Sequence, residues 1–449
     1  MPTTELYREH LTILDRALSD ALERAGKRGR TFDGVVFHAG RAREYYADDE
    51  AVPFRAAAHY LRYVPLDAPE HVVLARPGRV PRVVLVQPTD YWYDTAPPAK
   101  SYWQDAVDLA IVDRPEAVGA ALGDVAGAAF VGESREAAAA LGIGEGAVDP
   151  AELLAPLDWH RAAKTPYEIE HLRAAARAAG AGHRAARAAF ETGLSERDIH
   201  SAYLGGARHL ERELPFGSIV ALDAKSAILH YQGKRGDGET PGNVLLCDAG
   251  ARSGPYAADV TRTWVRPGVE PAFVEIVNRL DVAERELVAM VTPGRPYLDI
   301  HLQAHRLVAG ILADVGIVRV SADQALARGL TRTFLPHGVG HHLGIQVHDV
   351  GGRQAGPDGG SAPPPPEHPY LRNTRTLAPG HVVTIEPGIY VIPMLLEPLR
   401  SGPDASAIDW ELVDRLAPLG GVRIEDDVVC AAGAPEDLTR EHCPGPRGV

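Results

Sequence analysis

Carboxylates interrupt runs of this chain that otherwise read as buried strand, and that anomaly constrains the fold more than any other feature. Val244-Leu245-Leu246-Cys247 ends on Asp248, Tyr256-Ala257-Ala258 leads to Asp259, Val382-Val383-Thr384-Ile385 ends on Glu386, and Arg423-Ile424 runs into Glu425. An ionised carboxylate removed from water costs several kcal/mol unless a partner compensates it. Four in comparable settings demand a large local positive charge. No run of lysines accompanies them, so a bound metal is the economical source. Cys247 adjoins Asp248, but strand alternation turns it to the opposite face, where it reads as core.

Histidines supply the remaining ligand chemistry. Pro336-His337-Gly338-Val339-Gly340-His341-His342 leads on to Val347-His348-Asp349. The spacing of His337 and His341 imitates one face of a helix, yet Gly338 and Gly340 argue against a helix and for a loop that lets an imidazole approach a ligand closely. The ordered set Asp248, Asp259, His341, Glu386 and Glu425 is oxygen-rich, with one imidazole and no thiolate. It favours Mn²⁺, Mg²⁺ or Co²⁺. Five protein ligands, most able to bridge or chelate, suit two ions about 3.5–4 Å apart sharing carboxylates and a solvent molecule.

The chain has 449 residues, room for two or three domains of roughly 100–200 residues. Alternating strands and helices are expected in residues 1–157, an α/β domain that includes a hairpin around Arg76-Pro77-Gly78-Arg79. The first thirty residues read as an amphipathic helix spacing Leu6, Leu11, Leu14, Leu18 and Leu22. Thr165-Pro166-Tyr167-Glu168 reads as a capping box opening a long helix. Residues 158–449 are expected as an α+β domain, with helices over Phe273–Leu287 and Ile300–Ile311 and strands at 243–248, 256–264, 382–386 and 422–429. The Pro- and Gly-rich stretch 355–369 reads either as a lid or as a solvated insertion.

With 46 Lys and Arg against 60 Asp and Glu, the charge argues against a nucleic-acid partner. No uncharged apolar run reaches the roughly 18 residues of a membrane helix. Three cysteines without a CxxC pair point to a reducing compartment, the cytoplasm.

The strings LLCDAG, YAADVTRTW, PHGVGHHLG, VHDVGG, TIEPGIY and GVRIEDDVV resemble the metallopeptidase family of prolidases, aminopeptidase P and methionine aminopeptidase. They are most similar to its bacterial Xaa-Pro dipeptidases. The likeness extends over nearly the whole chain through DDEAVPF, PTDYWYD and ALDAKSAILHYQ. It implies a pita-bread catalytic fold in residues 158–449, two divalent cations per subunit (Mn²⁺, with Co²⁺ the alternative), and an N-terminal domain that dimerises and rims the active site. By resemblance Asp248, Asp259, His341, Glu386 and Glu425 bind metal. Glu386 also shuttles a proton, and His230, His337, His348 and Arg423 complete the catalytic surroundings.

Arg372 matches an arginine that grips the substrate's C-terminal carboxylate, and Asp48 an acidic residue reaching the neighbouring subunit of a homodimer. Phe216, Leu229 and Tyr297 are further candidates for the substrate pocket. Relatives commonly carry tyrosine where this chain has Phe216. They often carry proline where it has His342, which reads as an exposed variation. The implied reaction is hydrolysis of dipeptides ending in proline by a metal-bridged hydroxide, with side hydrolysis of organophosphorus triesters. The competing readings are aminopeptidase P action on longer peptides and a non-catalytic peptide-binding relative.

Overall fold

A long helix opens the chain because Thr3 caps it, its side chain accepting from the Leu6 amide at 3.2 Å, and because one stripe of Thr4–Lys27 is apolar. That stripe runs through Tyr7, His10, Leu14, Leu18, Ala21 and Ala25, a spacing of three and four residues. Leu6 and Leu11 lie beside it, only partly buried. The computed structural model describes residues 3–92, 100–236 and 241–446. Tyr93 and Asp94, which end the PTDYWYD string, lie outside them.

Two compact units make up the chain, Met1–His171 with Gln354–Ser361, and Leu172–Arg353 with Ala362–Val449. In the first, five strands form one sheet in the order Asp108–Val112, Arg82–Val86, Val72–Ala75, Gly34–His38, Ala128–Val131. The inner pairs are antiparallel and the outer pairs parallel. Val72–Ala75 and Arg82–Val86 are the expected hairpin. Val36, Val72, Leu74, Val84 and Phe130 fill one face of the sheet.

The capping box forms as read. The Thr165 amide donates to Glu168 Oε2 at 2.8 Å and the Glu168 amide to Thr165 Oγ1 at 3.3 Å, opening the helix Pro166–Glu191. The boundary at 157/158 falls inside the helix Ala151–Ala162, which stays wholly with the first unit.

The stretch 355–369 divides between the units. Gln354–Gly356 pairs with Gly359–Ser361 as a small hairpin of the first unit. There Gln354 Nε2 donates to the Ala155 carbonyl at 2.7 Å and Arg24 pairs with Asp358 at 3.0 Å. Residues 362–369 belong to the second unit.

In the second unit, Pro271–Ala289 and Tyr297–Val315 are the two expected helices, burying Phe273, Ile276, Val277 and Leu280 from one and Ile300, Ala304, Val308 and Ile311 from the other. Three antiparallel strands follow the order Thr261–Val265, Val244–Asp248, Ile219–Leu222, and Val382–Ile385 pairs with Asp426–Val429. Two expected strands are each broken. Tyr256–Ala257 and Thr261–Val265 flank an irregular Ala258-Asp259-Val260, and Gly421–Arg423 and Asp426–Val429 flank Ile424-Glu425. Breaks of this kind re-aim a side chain out of the sheet's regular alternation, and both carry a candidate ligand.

Candidate metal centre

Strand register brings the distant candidate ligands together. Asp248 lies opposite Thr261, Thr261 bridges to Glu425, Ile385 lies opposite Asp426 so that Glu386 and Glu425 are neighbours, and His342 bridges to Val383 beside His341. The same interactions fix the side chains. Thr261 Oγ1 donates to Glu425 Oε2 at 2.6 Å, and the Thr384 amide donates to the His341 carbonyl at 2.9 Å. The loop before His341 needs glycine. A Cβ on Gly340 would run into the Thr384 carbonyl and the Tyr297 hydroxyl, and one on Gly338 would sit 2.8 Å from the Leu371 Cα. Residues 336–344 are accordingly non-helical, as the glycines indicate.

A cavity of about 760 Å³ opens on this cluster, lined by Asp248, Asp259, His341, Glu386 and Glu425 together with Leu229, His230, His337, His348, Arg372 and Arg423. His341 Nε2 lies 3.5 Å from Asp259 Oδ2 and 3.7 Å from Glu386 Oε1. Its Nδ1 is 3.0 Å from the His342 carbonyl. A carbonyl can only accept, so Nδ1 carries the hydrogen and Nε2 turns a lone pair toward the carboxylates. Burial pushes the proton affinity of His341 down to about 4, leaving a neutral imidazole at pH 7.

The acids shift the other way. Burial first, then the repulsion of neighbouring carboxylates, pushes Asp259, Glu386 and Glu425 well above the usual carboxyl range. Asp248 Oδ1 is buried with no hydrogen-bond partner, while its Oδ2 accepts from Arg423 Nη2. Asp259, His341 and Glu425 each present a ligand atom within 4.8 Å of the others. An orphaned oxygen, a facing imidazole lone pair and mutually repelling buried carboxylates fit divalent cations.

The three consecutive acids of GVRIEDDVV separate. Glu425 faces the cavity. Asp426 turns away to pair with Arg262 and Arg440, each at 2.6 Å, and Asp427 Oδ2 accepts from the Asp259 amide at 3.1 Å.

Two pocket candidates lie outside the cavity lining, and one expectation, the exposure of His342, needs correction. Tyr297 is completely buried and lies outside the cavity lining. Its hydroxyl donates to the Thr384 carbonyl at 2.7 Å, so it braces the backbone that leads to Glu386. Phe216 is also outside the lining, its ring packed toward Gly250. His342 is 1% exposed, because extended backbone alternates faces and His341 takes the side toward the cavity. Its ring packs on His381 with centroids 4.9 Å apart.

Asp48 lies in the first unit on an exposed turn, its Oδ1 accepting from the Glu50 amide at 3.2 Å. Cys247 is core, packed among Phe190, Tyr203 and Leu245. Sequence reading passed over Tyr390, whose hydroxyl is 2.9 Å from both His337 Nε2 and Arg423 Nη1. Its position in TIEPGIY, three residues past the Glu386-Pro387 break, was the available signal.

A pita-bread fold carrying carboxylates and imidazoles around one cavity defines a metallopeptidase. Residues 170–432 match metallopeptidase family M24 and residues 5–159 match the Xaa-Pro dipeptidase N-terminal domain, and the chain belongs to metallopeptidase family M24. It is 40% identical to the Xaa-Pro dipeptidase of Stenotrophomonas maltophilia (strain K279a), over 97% of this chain and 96% of the relative. It is 41% identical to that of Xanthomonas campestris pv. campestris (strain B100), over 97% of each. Among solved structures, aminopeptidase P from E. coli with the inhibitor Pro-Leu superposes with a TM-score of 0.69 at 22% identity, covering 95% of this chain and 96% of that one. Proline aminopeptidase P II from Yersinia pestis gives 0.70 at 22% identity, covering 99% and 98%.

Proposed function

We propose that the chain is an Xaa-Pro dipeptidase that hydrolyses dipeptides with a C-terminal proline, using two divalent cations, Mn²⁺ first, held by Asp248, Asp259, His341, Glu386 and Glu425. The observation that carries this reading is Arg372. Its exposed guanidinium lines the cavity of the five ligands, and no carboxylate among the described residues forms an ion pair with it. The near-full-length likeness to proteins named Xaa-Pro dipeptidase supports it further.

Bound there, the cations supply a water ionised near neutral pH and a Lewis acid for the scissile carbonyl. Arg372 takes the dipeptide's free carboxylate as a charge-assisted pair. A longer peptide would place a neutral amide at that point, which is how the site favours dipeptides. Arg353 holds the segment that carries Arg372, donating from Nε to the Leu371 carbonyl at 3.0 Å. His348 donates to the carbonyl oxygen as charge develops on it.

An Xaa-Pro bond is a tertiary amide whose nitrogen bears no hydrogen, so the nitrogen must be protonated as it leaves. Glu386, an acid whose burial favours its protonated form, takes up the proton and delivers it there. His337 Nδ1 lies 3.7 Å from Glu386 Oε2, which places its ring against that carboxyl group.

A pocket built for a tetrahedral centre accommodates organophosphorus triesters as a side activity. A cytoplasmic homodimer, with Asp48 reaching the second subunit, completes the reading. The test is hydrolysis of Ala-Pro, Leu-Pro, Ala-Ala and Ala-Pro-Ala by chelated enzyme given back Mn²⁺. Cleavage of the two Xaa-Pro dipeptides alone, and only with metal, is expected. Preference for Ala-Pro-Ala would instead establish aminopeptidase P action, and inactivity on all four would overturn both.

A further inference from the structure

Three imidazoles meet in the second unit at a place the proposed reaction does not use. His301 and His305 lie one turn apart on the helix Tyr297–Val315, and His368 closes on them from the segment after the hairpin. The three ring centroids are 4.5 to 4.7 Å apart. His301 and His305 are each 1% exposed. Neither nitrogen of His301, and not Nε2 of His305, has a hydrogen-bond partner. An orphaned buried polar atom is costly, so a chain that keeps several together gains from anything that engages them at once.

The protonation state selects what that is. Burial, and after it the neighbouring imidazoles, push His301 down to about 2 and His305 to about 3, so both rings are neutral at physiological pH. His305 Nδ1 is 2.9 Å from Thr331 Oγ1. With that nitrogen donating to the hydroxyl, Nε2 is left as a lone pair, the arrangement that orients metal-binding histidines. Each neutral imidazole carries one N–H and one lone pair, so each of the rings can turn a single lone pair toward a common point.

We propose that His301, His305 and His368 bind a single Zn²⁺ ion, separate from the carboxylate centre. An all-imidazole set suits Zn²⁺ and the other borderline transition metals, while the oxygen-rich cluster suits Mn²⁺. One chain therefore sorts two kinds of cation between two sites by donor chemistry. The three candidate nitrogens lie within 4.8 Å of one another. Tetrahedral Zn–N bonds of about 2.0–2.1 Å bring nitrogens to about 3.4 Å, a closure that rotation of the half-buried His368 supplies.

A cavity of about 180 Å³ beside His301 and His368 leaves room for water as the fourth ligand, with Arg332 and Glu367 contributing one charge of each sign to its wall. Pro336, His337, Pro369 and Tyr370 line both this cavity and the larger one. An ion at the three histidines thus anchors the wall that the two share.

The test uses the whole protein saturated with Mn²⁺, then given Zn²⁺ at one equivalent and desalted. Elemental analysis is expected to find a single further Zn²⁺ per chain, and diffraction at the zinc edge to place its anomalous peak among the three rings. His368→Ala, at a partly exposed position, is expected to fold, to keep its Mn²⁺, and to lose the zinc and the rise in melting temperature that zinc gives the parent. Zinc found only among the carboxylates, or retained equally by His368→Ala, would overturn the site.

Discussion

Arg423 donates from Nη2 to Oδ2 of Asp248 and so brings a buried positive charge against a cluster of acids that repel one another. Burial works against that charge, but Tyr390, Asp248, Glu425 and Glu386 together outweigh it and hold the guanidinium protonated. Until cations arrive, this arginine is what offsets the cluster. Breaking a buried pair by removing one partner costs about 3–5 kcal/mol.

Arg423→Gln should therefore destabilise the chelated enzyme much more than the Mn²⁺-loaded one, because the cations replace the lost charge. The increase in melting temperature on adding Mn²⁺ should be larger in the variant than in the parent. An equal increase in both would show that the arginine and the metals do not answer the same charge.

Tyr390 joins two groups that would otherwise be independent. Its hydroxyl accepts from Arg423 Nη1 and lies 2.9 Å from His337 Nε2. His337 Nδ1 is 2.8 Å from the Gly338 carbonyl and so carries the hydrogen, which leaves Nε2 to accept from the phenol. Tyr390→Phe keeps the ring packing and removes both bonds, each worth about 1 kcal/mol. Metal content should be unchanged and kcat should fall about tenfold, read from dipeptide kinetics beside elemental analysis. A variant that loses metal would place the tyrosine in ligand support instead.

Arg372→Ala should raise KM for Ala-Pro at least tenfold, leaving bound metal unaltered. Arg372 is exposed and makes no ion pair within the described residues, so the substitution breaks no ion pair among them. Losing a charge-assisted hydrogen bond to a ligand costs about 1.5–3 kcal/mol, which is about ten- to a hundredfold. Unchanged dipeptide kinetics would remove the carboxylate-recognition argument.

How far the sequence reached depended on what each residue signals locally. Thr165 and Glu168 announce a capping box through side-chain chemistry alone, and Gly338 and Gly340 announce a tight approach, so both were legible. Glu425, Asp426 and Asp427 share composition and context and differ in which way a broken strand turns them, and that direction is set by pairing with Thr261 and Val382–Ile385 far away in sequence. His342 looked like surface for the same reason, since its burial comes from the strand it lies against. Tyr297 begins a helix, and only the fold reveals that its hydroxyl is taken by backbone carbonyls. The triad of His301, His305 and His368 was not read from the sequence: two of its members sit four apart in a helix, and the third comes from a segment more than sixty residues on.

Metal binding should release protons. Asp259, Glu386 and Glu425 hold their protons well above the ordinary carboxyl range in the metal-free fold, through burial and then mutual repulsion. A group with a raised folded-state affinity contributes stability that is full below its unfolded value, about 4 for these acids, and is lost as pH rises toward the folded one. The chelated enzyme should therefore lose stability as pH climbs through the region above 4, while Mn²⁺ displaces the protons and pairs the carboxylates. The stabilisation by Mn²⁺, taken as the melting-temperature difference with and without chelator, should be larger at pH 8 than at pH 5.5. Calorimetric titration of Mn²⁺ in two buffers of different ionisation enthalpy should give different heats, the sign of proton release. Equal heats in the two buffers, with a stabilisation independent of pH, would mean the carboxylates are already ionised before the cations bind, and that Arg423 alone holds them together.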